Sequence, residues 1–258
     1  MSKTSDSYGT YYKYNKINEK DPVVFIHGIG LTHEIWNAQI DFFKNYNTIV
    51  YDLIGHGKTL HNKKQINMKD FSKQLLKLID SLKIEKIHLV GFSLGSLIAR
   101  DFASSHGNRL SSLTIFASIY KRTEDEKRQV INRYETMKKN KDVTKKRALA
   151  RWLSEEFIKK NPNIYKKIYS MLENNNHNTW LKVYKLFAYH EDDDTSIKKI
   201  NTKSLIITGE NDIGSKPRMS ENLSKLIVGS QFKIIPKGKH LCNIECFKDF
   251  NMILKKFI

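Results

Sequence analysis

Cysteine is almost missing from this chain: there are two, Cys242 and Cys246, in 258 residues. They stand four apart in a predicted helix, a spacing that does not suggest a disulfide, and two ligands make a poor metal site. Free packing thiols in a reducing cytoplasm are the expectation. Long apolar runs are missing too. No stretch reaches the roughly 18 residues a membrane span requires, and Met1 to Lys20 is polar, without the apolar centre of a signal peptide. Acidic residues are the third shortage: 27 Asp and Glu stand against 45 Lys and Arg, a formal charge of +18. That balance suits an acidic partner such as nucleic acid, anionic lipid or an acidic carrier protein. Lysine is scattered along the whole chain, however, and no nucleic-acid-binding signature accompanies it. Compositional bias toward Lys, Asn and Ile is therefore the favoured explanation. Internal repeats and low-complexity segments are also absent.

What is present centres on Gly91-Phe92-Ser93-Leu94-Gly95. Ile87, Leu89 and Val90 lead in with β-forming apolar residues, and Leu97, Ile98, Phe102 and Ala103 follow at helical spacing. The pattern predicts a buried strand, a sharp turn and a helix, with G-x-S-x-G at the turn. A serine thrust out of such a turn takes a strained backbone, and side chains two residues either side would collide with it. Gly91 and Gly95 remove those side chains. The turn also aims the first N–H groups of the helix at whatever binds beside Ser93.

Around this centre the chain alternates. An edge strand is predicted over Thr10 to Ile17, then strands at Val23 to Ile26, Asn47 to Tyr51, Ile84 to Val90 and Leu110 to Ala117, with helices between them. This rhythm implies an α/β fold with a mainly parallel sheet covered on both faces. From Tyr120 to about Ile200 it stops, and the chain is helical in character. We read 1–119 as the first part of a core, 120–200 as an inserted helical cap, and 201–258 as the rest of the core. Between Lys121 and Arg151 the cap holds 12 Lys and Arg against 5 Asp and Glu, the densest positive stretch of the molecule. The sheet pattern resumes at Ser204 to Thr208 and Phe232 to Ile235, and a helix from Asn243 to Phe257 closes the chain.

Two nucleotide-binding patterns fail on inspection. G-K-T at Gly57 needs a glycine where Asp52 stands, and the G-x-G of Gly28 and Gly30 meets His33 where its third small residue belongs. A third pattern is complete. A serine needs a base to take its proton, and the base needs a carboxylate to hold its tautomer. Asp212 and His240 each lie just past a predicted strand end, in the order Ser, Asp, His. The predicted catalytic set is Ser93, Asp212 and His240, with Glu210 as the fallback acid. The run Asp192-Asp193-Asp194 reads as a solvated loop. For an oxyanion, two N–H donors are needed: Leu94 directly after the nucleophile, and Ile29 in the loop after His27-Gly28. His27 reads as a brace for that loop, and His56 and His61 as surface residues without a role. His33 and Trp36 are near enough in sequence to line a substrate pocket, with the core as the other reading of Trp36. Trp152 in the helical stretch is a further lining candidate.

H-G-I-G with Trp36 downstream, D-L-I-G-H-G, G-F-S-L-G, G-E-N-D and G-K-H together resemble the α/β-hydrolases of the single-cap, lipase-like esterase type. The resemblance spans nearly the whole chain, with Ile54 and Thr59 standing where the family often has Arg and Ser. It implies a sheet of about eight strands, an elbow serine, and a helical cap before the acid-bearing strand. Short N-terminal strands leave the first of the eight open to being absent. The activity implied is hydrolysis of a small-molecule carboxylic ester, lactone or thioester through an acyl-enzyme, without metal or organic cofactor. The branches that fit are pimeloyl-carrier-protein methyl ester esterases, enol-lactone hydrolases and carbon–carbon bond hydrolases. The basic cap suits the first, whose carrier is acidic. Oxygenases and haloperoxidase-like members share the scaffold, and small-molecule receptors have adopted it with an intact triad.

Overall fold

A computed structural model describes residues 5–59, 65–140 and 143–258, with side chains from 145 onward in the last stretch. Its strands are β1 (Tyr12–Asn15), β2 (Val23–Ile26), β3 (Thr48–Tyr51), β4 (Ile87–Phe92), β5 (Leu110–Phe116), β6 (Ser204–Gly209) and β7 (Gln231–Ile235). They form one sheet in the order β1-β3-β2-β4-β5-β6-β7. β1 runs antiparallel to β3, and every other pairing is parallel. Among the described residues the sheet therefore has seven strands, one fewer than the eight the motifs imply. Beyond β1, Ser5 and Tyr11 form an isolated antiparallel bridge. The chain there closes into a turn, with Asp6 Oδ1 accepting from the Tyr8 and Thr10 N–H groups, and no strand among the described residues extends the edge.

The strands are continuous apolar runs because both faces are covered. Alternate residues of each strand enter two separate cores. Val24 and Ile26 of β2, Ile49 and Tyr51 of β3, and Leu113 and Ile115 of β5 join one cluster, which also holds Phe71, Leu75, Phe102 and Leu223. Those four come from helices α2 (Met68–Ser81), α3 (Leu94–His106) and α10 (Pro217–Leu226). Phe25, Val50, Phe92 and Phe116 point the other way, toward Trp36, Phe43, Phe250 and Leu254. That second layer is α1 (Asn37–Phe42) with its flanks and α12 (Phe247–Phe257). Helix starts are set locally: Asn67 and Asp70 form a reciprocal capping box at α2, which satisfies two otherwise orphaned N–H groups.

Between β5 and β6 lie α4 (Glu124–Lys139), α5 (Val143–Trp152), α6 (Glu155–Lys160), α7 (Pro162–Glu173), α8 (His177–Ala188) and the single turn α9 (Asp194–Ile197). The expected C-terminal helix is broken. α11 (Cys242–Glu245) stops at Cys246, whose backbone leaves the helical region at φ −115° and ψ 39°, before α12 begins. No helix among the described residues is long and apolar enough to cross a membrane.

Candidate active site

Ser93 links β4 to α3 at φ 54° and ψ −113°, a region whose strain costs roughly 1–3 kcal/mol for a residue with a side chain. The two glycines of the elbow allow it. A Cβ on Gly91 would fall 2.3 Å from the Gly95 carbonyl oxygen, and one on Gly95 would fall 2.5 Å from that of Ile26. The Ser93 N–H donates to Phe116 O at 2.9 Å, which fixes the elbow to β5. Leu94 N–H, at the positive end of α3, has no acceptor among the described residues.

His240 and Asp212 reach Ser93 because two loops touch at the carboxyl end of the sheet. Gly209 makes this approach possible: a Cβ there would sit 2.3 Å from Gly238 O. Asn211 N–H donates to that same carbonyl at 2.8 Å. Asp212 Oδ1 accepts from the Gly214 and Ser215 N–H groups at 2.8 and 2.9 Å. Its Oδ2 lies 2.7 Å from His240 Nδ1. The carboxylate can only accept, so Nδ1 carries the proton and Nε2 is left as an acceptor, 3.1 Å from Ser93 Oγ. Phe92 and Trp152 flank the imidazole at ring distances of 4.9 and 6.0 Å. Helix α5 is tied to the histidine loop as well. Lys239 Nζ donates to the Ala150 and Leu153 carbonyls, and Leu241 N–H donates to Trp152 O. Glu210 lies apart from this set, its carboxylate accepting from Lys237 N–H at 2.8 Å.

The opposite wall is the loop after β2. His27 Nδ1 donates to Gly28 O at 2.8 Å, and Nε2 accepts from Leu53 N–H at 3.0 Å. Both nitrogens are committed, so the ring is neutral, and complete burial holds its pKa down to about 4. A Cβ on Gly28 would lie 2.9 Å from the Phe92 ring and 3.3 Å from Ser93 Cβ, so this loop runs directly against the serine. Ile29 faces the same space, and its N–H has no acceptor among the described residues. Asn175, just past α7, donates to Gly30 O at 2.7 Å and holds the loop from the helical side.

Three expectations are corrected. Trp36 does not line a pocket; it is fully buried and packs at tilted and edge-on angles among Phe25, Phe92, Phe116 and Phe250. His33 does not either, because Asp52 Oδ1 takes both its N–H and its Nδ1 at 2.8 Å and draws the ring under the loop. His56 is not on the surface. It is 1% exposed, its ring lies 5.3 Å from that of His27, and burial holds its pKa to about 3. His61 lies outside the described residues. The acidic run is also engaged: Asp192 pairs with Arg100 at 2.7 Å, Asp193 caps α9, and Asp194 pairs with Lys121.

Ser93, Asp212 and His240 open into a cavity of about 630 Å³. Trp152, the third lining candidate, borders it, and so does Ile29. The sequence reading missed the contribution of α4 and α8, including Gln129, Arg133, Trp180 and Tyr184. Spacing of three and four along α4 was the available signal, since 126, 129, 133 and 136 share one helical face. Among the described residues no group of three or more His, Cys, Asp or Glu side chains is placed to hold a metal ion.

A sheet with this order, an elbow serine and a helical excursion between β5 and β6 defines a class, and comparison agrees with it. Residues 21–245 match the model of the alpha/beta hydrolase fold family, and the chain belongs to that family. Among curated relatives, the (E)-2-((N-methylformamido)methylene)succinate hydrolase of Acinetobacter baylyi is 26% identical over 95% of this chain and 93% of its own. The 3-oxoadipate enol-lactonase 1 of the same organism is 28% identical over 92% of this chain and 88% of its own. The fold is shared with the enol-lactonase structure from Burkholderia xenovorans LB400, at a TM-score of 0.87 and 19% identity over 96% of this chain and 95% of that one.

Proposed function

We propose that this protein is a serine hydrolase that opens a carboxylic ester or lactone through an acyl-enzyme on Ser93. The observation that carries the reading is the unbroken hydrogen-bonded line from Asp212 through His240 to Ser93 Oγ, at 2.7 and 3.1 Å. Ser93 Oγ attacks the carbonyl carbon as His240 Nε2 takes its proton, and Asp212 stabilises the imidazolium that forms. The negative oxygen is received by the unpartnered N–H groups of Ile29 and Leu94, with the α3 dipole behind the second. As the intermediate collapses, the C–O bond to the alkoxide breaks and His240 returns the proton to the leaving oxygen. With a lactone that oxygen stays attached to the acyl group. Water then attacks the acyl-enzyme with His240 as base, releasing the acid and restoring Ser93. Relatives over most of the chain that are named as a hydrolase and an enol-lactonase support this reading. The helical segment between β5 and β6 is, on this view, a cap that sizes the acyl site.

The test is steady-state hydrolysis of p-nitrophenyl esters from acetate to decanoate, with Ser93→Ala alongside. Loss of roughly 10⁴-fold or more is expected, leaving only the contribution of the oxyanion donors and binding. The variant should keep its circular dichroism and melting transition. Turnover retained in Ser93→Ala refutes the mechanism. Fluorophosphonate labelling of Ser93 without turnover of any ester would instead indicate a receptor or a narrow substrate.

A further inference from the structure

The cavity wall is more basic than its own carboxylates account for. Arg122, Arg133, Arg147 and Arg151 border it from α4, α5 and the turn before α4. Of the acids that border it, Glu126 is held by Lys216 and Arg218, Asp212 by His240, and Glu173 is exposed to solvent. Arg122 is satisfied by backbone: its Nη1 donates to Phe187 O at 2.9 Å, and its guanidinium lies 4.6 Å over the Phe187 ring. Arg133 and Arg151 are not. Neither has an ion pair or hydrogen-bond acceptor among the described residues, and the Arg133 Nε is buried. Each is half-buried, and the charge of Arg133 adds to burial in pushing the Arg151 pKa down. Arg147 and Arg151, four apart on α5, stack like charges on one side of the helix.

Three other cations of α4 differ. Lys127, Arg128 and Lys138 each face a carboxylate, from Glu124, Asp125 and Glu135 respectively. Those three cations have carboxylate partners, while Arg133 and Arg151 at the cavity have none among the described residues. A second donor in the same cavity is also unsatisfied: Trp180 Nε1 is buried without an acceptor, beside Gly30 of the oxyanion loop. The spare donors of Arg133, Arg151 and Trp180 in one cavity wall ask for a ligand that brings acceptors, and guanidinium forks match the two oxygens of a carboxylate.

We propose that the substrate carries a free carboxylate in addition to its scissile ester or lactone carbonyl, and that Arg133 and Arg151 seat it. The proposal rests on the serine-hydrolase reading for the scissile end but not for the binding of the anion. The seated anion would neutralise the repulsion between α4 and α5 and fix the acyl chain relative to Ser93. A neutral acyl chain leaves both guanidinium groups without an acceptor.

The experiment compares p-nitrophenyl hydrogen glutarate with neutral p-nitrophenyl valerate, on the intact enzyme and on Arg133→Met, Arg151→Met and the double variant. The readout is the ratio of kcat/KM for the two esters. Wild type should favour the glutarate, and each single variant should lower that ratio by about 10–100-fold, the effect of one charged hydrogen-bonded contact. Arg133→Lys should recover part of it. A ratio near unity in wild type, or one unchanged by the variants, overturns the proposal. Free glutarate is titrated by calorimetry into Ser93→Ala, which reads the anion site whether or not the ester chemistry exists. Binding there that vanishes with Arg133→Met supports the site even if Ser93 proves to have no hydrolytic role. If glutarate fails to bind and the esters are cleaved only when carried by an acidic protein, the cations serve docking and the proposal falls.

Discussion

Acidification from about pH 7 to about pH 5 should strip a large part of this protein's stability, through two imidazoles buried at the loop after β2. His27 and His56 stay neutral in the fold, with pKa values of about 4 and about 3 caused first by burial. In the unfolded chain both return to roughly 6.5. Between those values the unfolded state binds more protons, so stability rises with pH. The contribution is fully present above about pH 6.5 and is lost as the pH falls toward the folded values. Each imidazole gives ~1.4 kcal/mol per pH unit across that window, so by about pH 5 the pair has removed about 4 kcal/mol. Set against a total of ~5–15 kcal/mol, that is decisive. Urea unfolding followed by tryptophan fluorescence is the assay, and the midpoint should fall by about 1–2 M. His56→Asn keeps a donor for Ile54 O, the acceptor 3.2 Å from His56 Nδ1, but cannot titrate; it should show about half the pH dependence. A midpoint that does not move between the two pH values, or an identical dependence in His56→Asn, refutes the reasoning.

Trp36→Ala should cost about 3–5 kcal/mol of stability, the range for emptying a buried aromatic site. Because Trp36 packs among phenylalanines and not against the cavity, the KM for p-nitrophenyl esters should hold at temperatures where the variant is folded; a raised KM would return Trp36 to the pocket wall. Asp192→Ala leaves Arg100, 5% exposed, without its carboxylate. A loss of about 3–5 kcal/mol is expected by thermal or urea unfolding. The paired replacement Arg100→Met with Asp192→Leu should lose less, since it leaves no buried charge behind, and an equal loss would contradict the account.

The parts of the site that were legible in the sequence are those fixed by local geometry. Gly91, Ser93 and Gly95 announce the elbow because the collisions they avoid are with atoms of the same turn and of β2 directly beside it. Asp212 and His240 could be assigned to strand ends, since a buried parallel strand is a short apolar run whose end is visible. Whether a side chain faced a cavity or a core was not visible. Trp36 fits either, because helical spacing fixes which side of its own helix a residue occupies but not what lies opposite. His56 sits among glycines and reads as solvated, yet the loop folds beneath the H-G-I-G segment and buries it. Asp192 reads as one of three solvated acids until Arg100, distant in the chain, is seen to meet it. Arg133 and Arg151 fall in a uniformly basic stretch, and only the packing of α4 and α5 separates inward charge from outward.

The order in which the sheet is laid down has a consequence for biosynthesis. Ser93 follows β4, but Asp212 and His240 follow β6 and β7, which reach β4 only by adding to β5. Roughly a third of the chain, the helices between β5 and β6, must be accommodated before that addition is possible. A ribosome-bound chain that has released the elbow strand therefore holds an unaccompanied serine, with no base near it, for the whole time the helices are being made. Contacts of such wide sequence separation form late. On the proposed mechanism the nascent protein would be chemically silent until its last strand pairs.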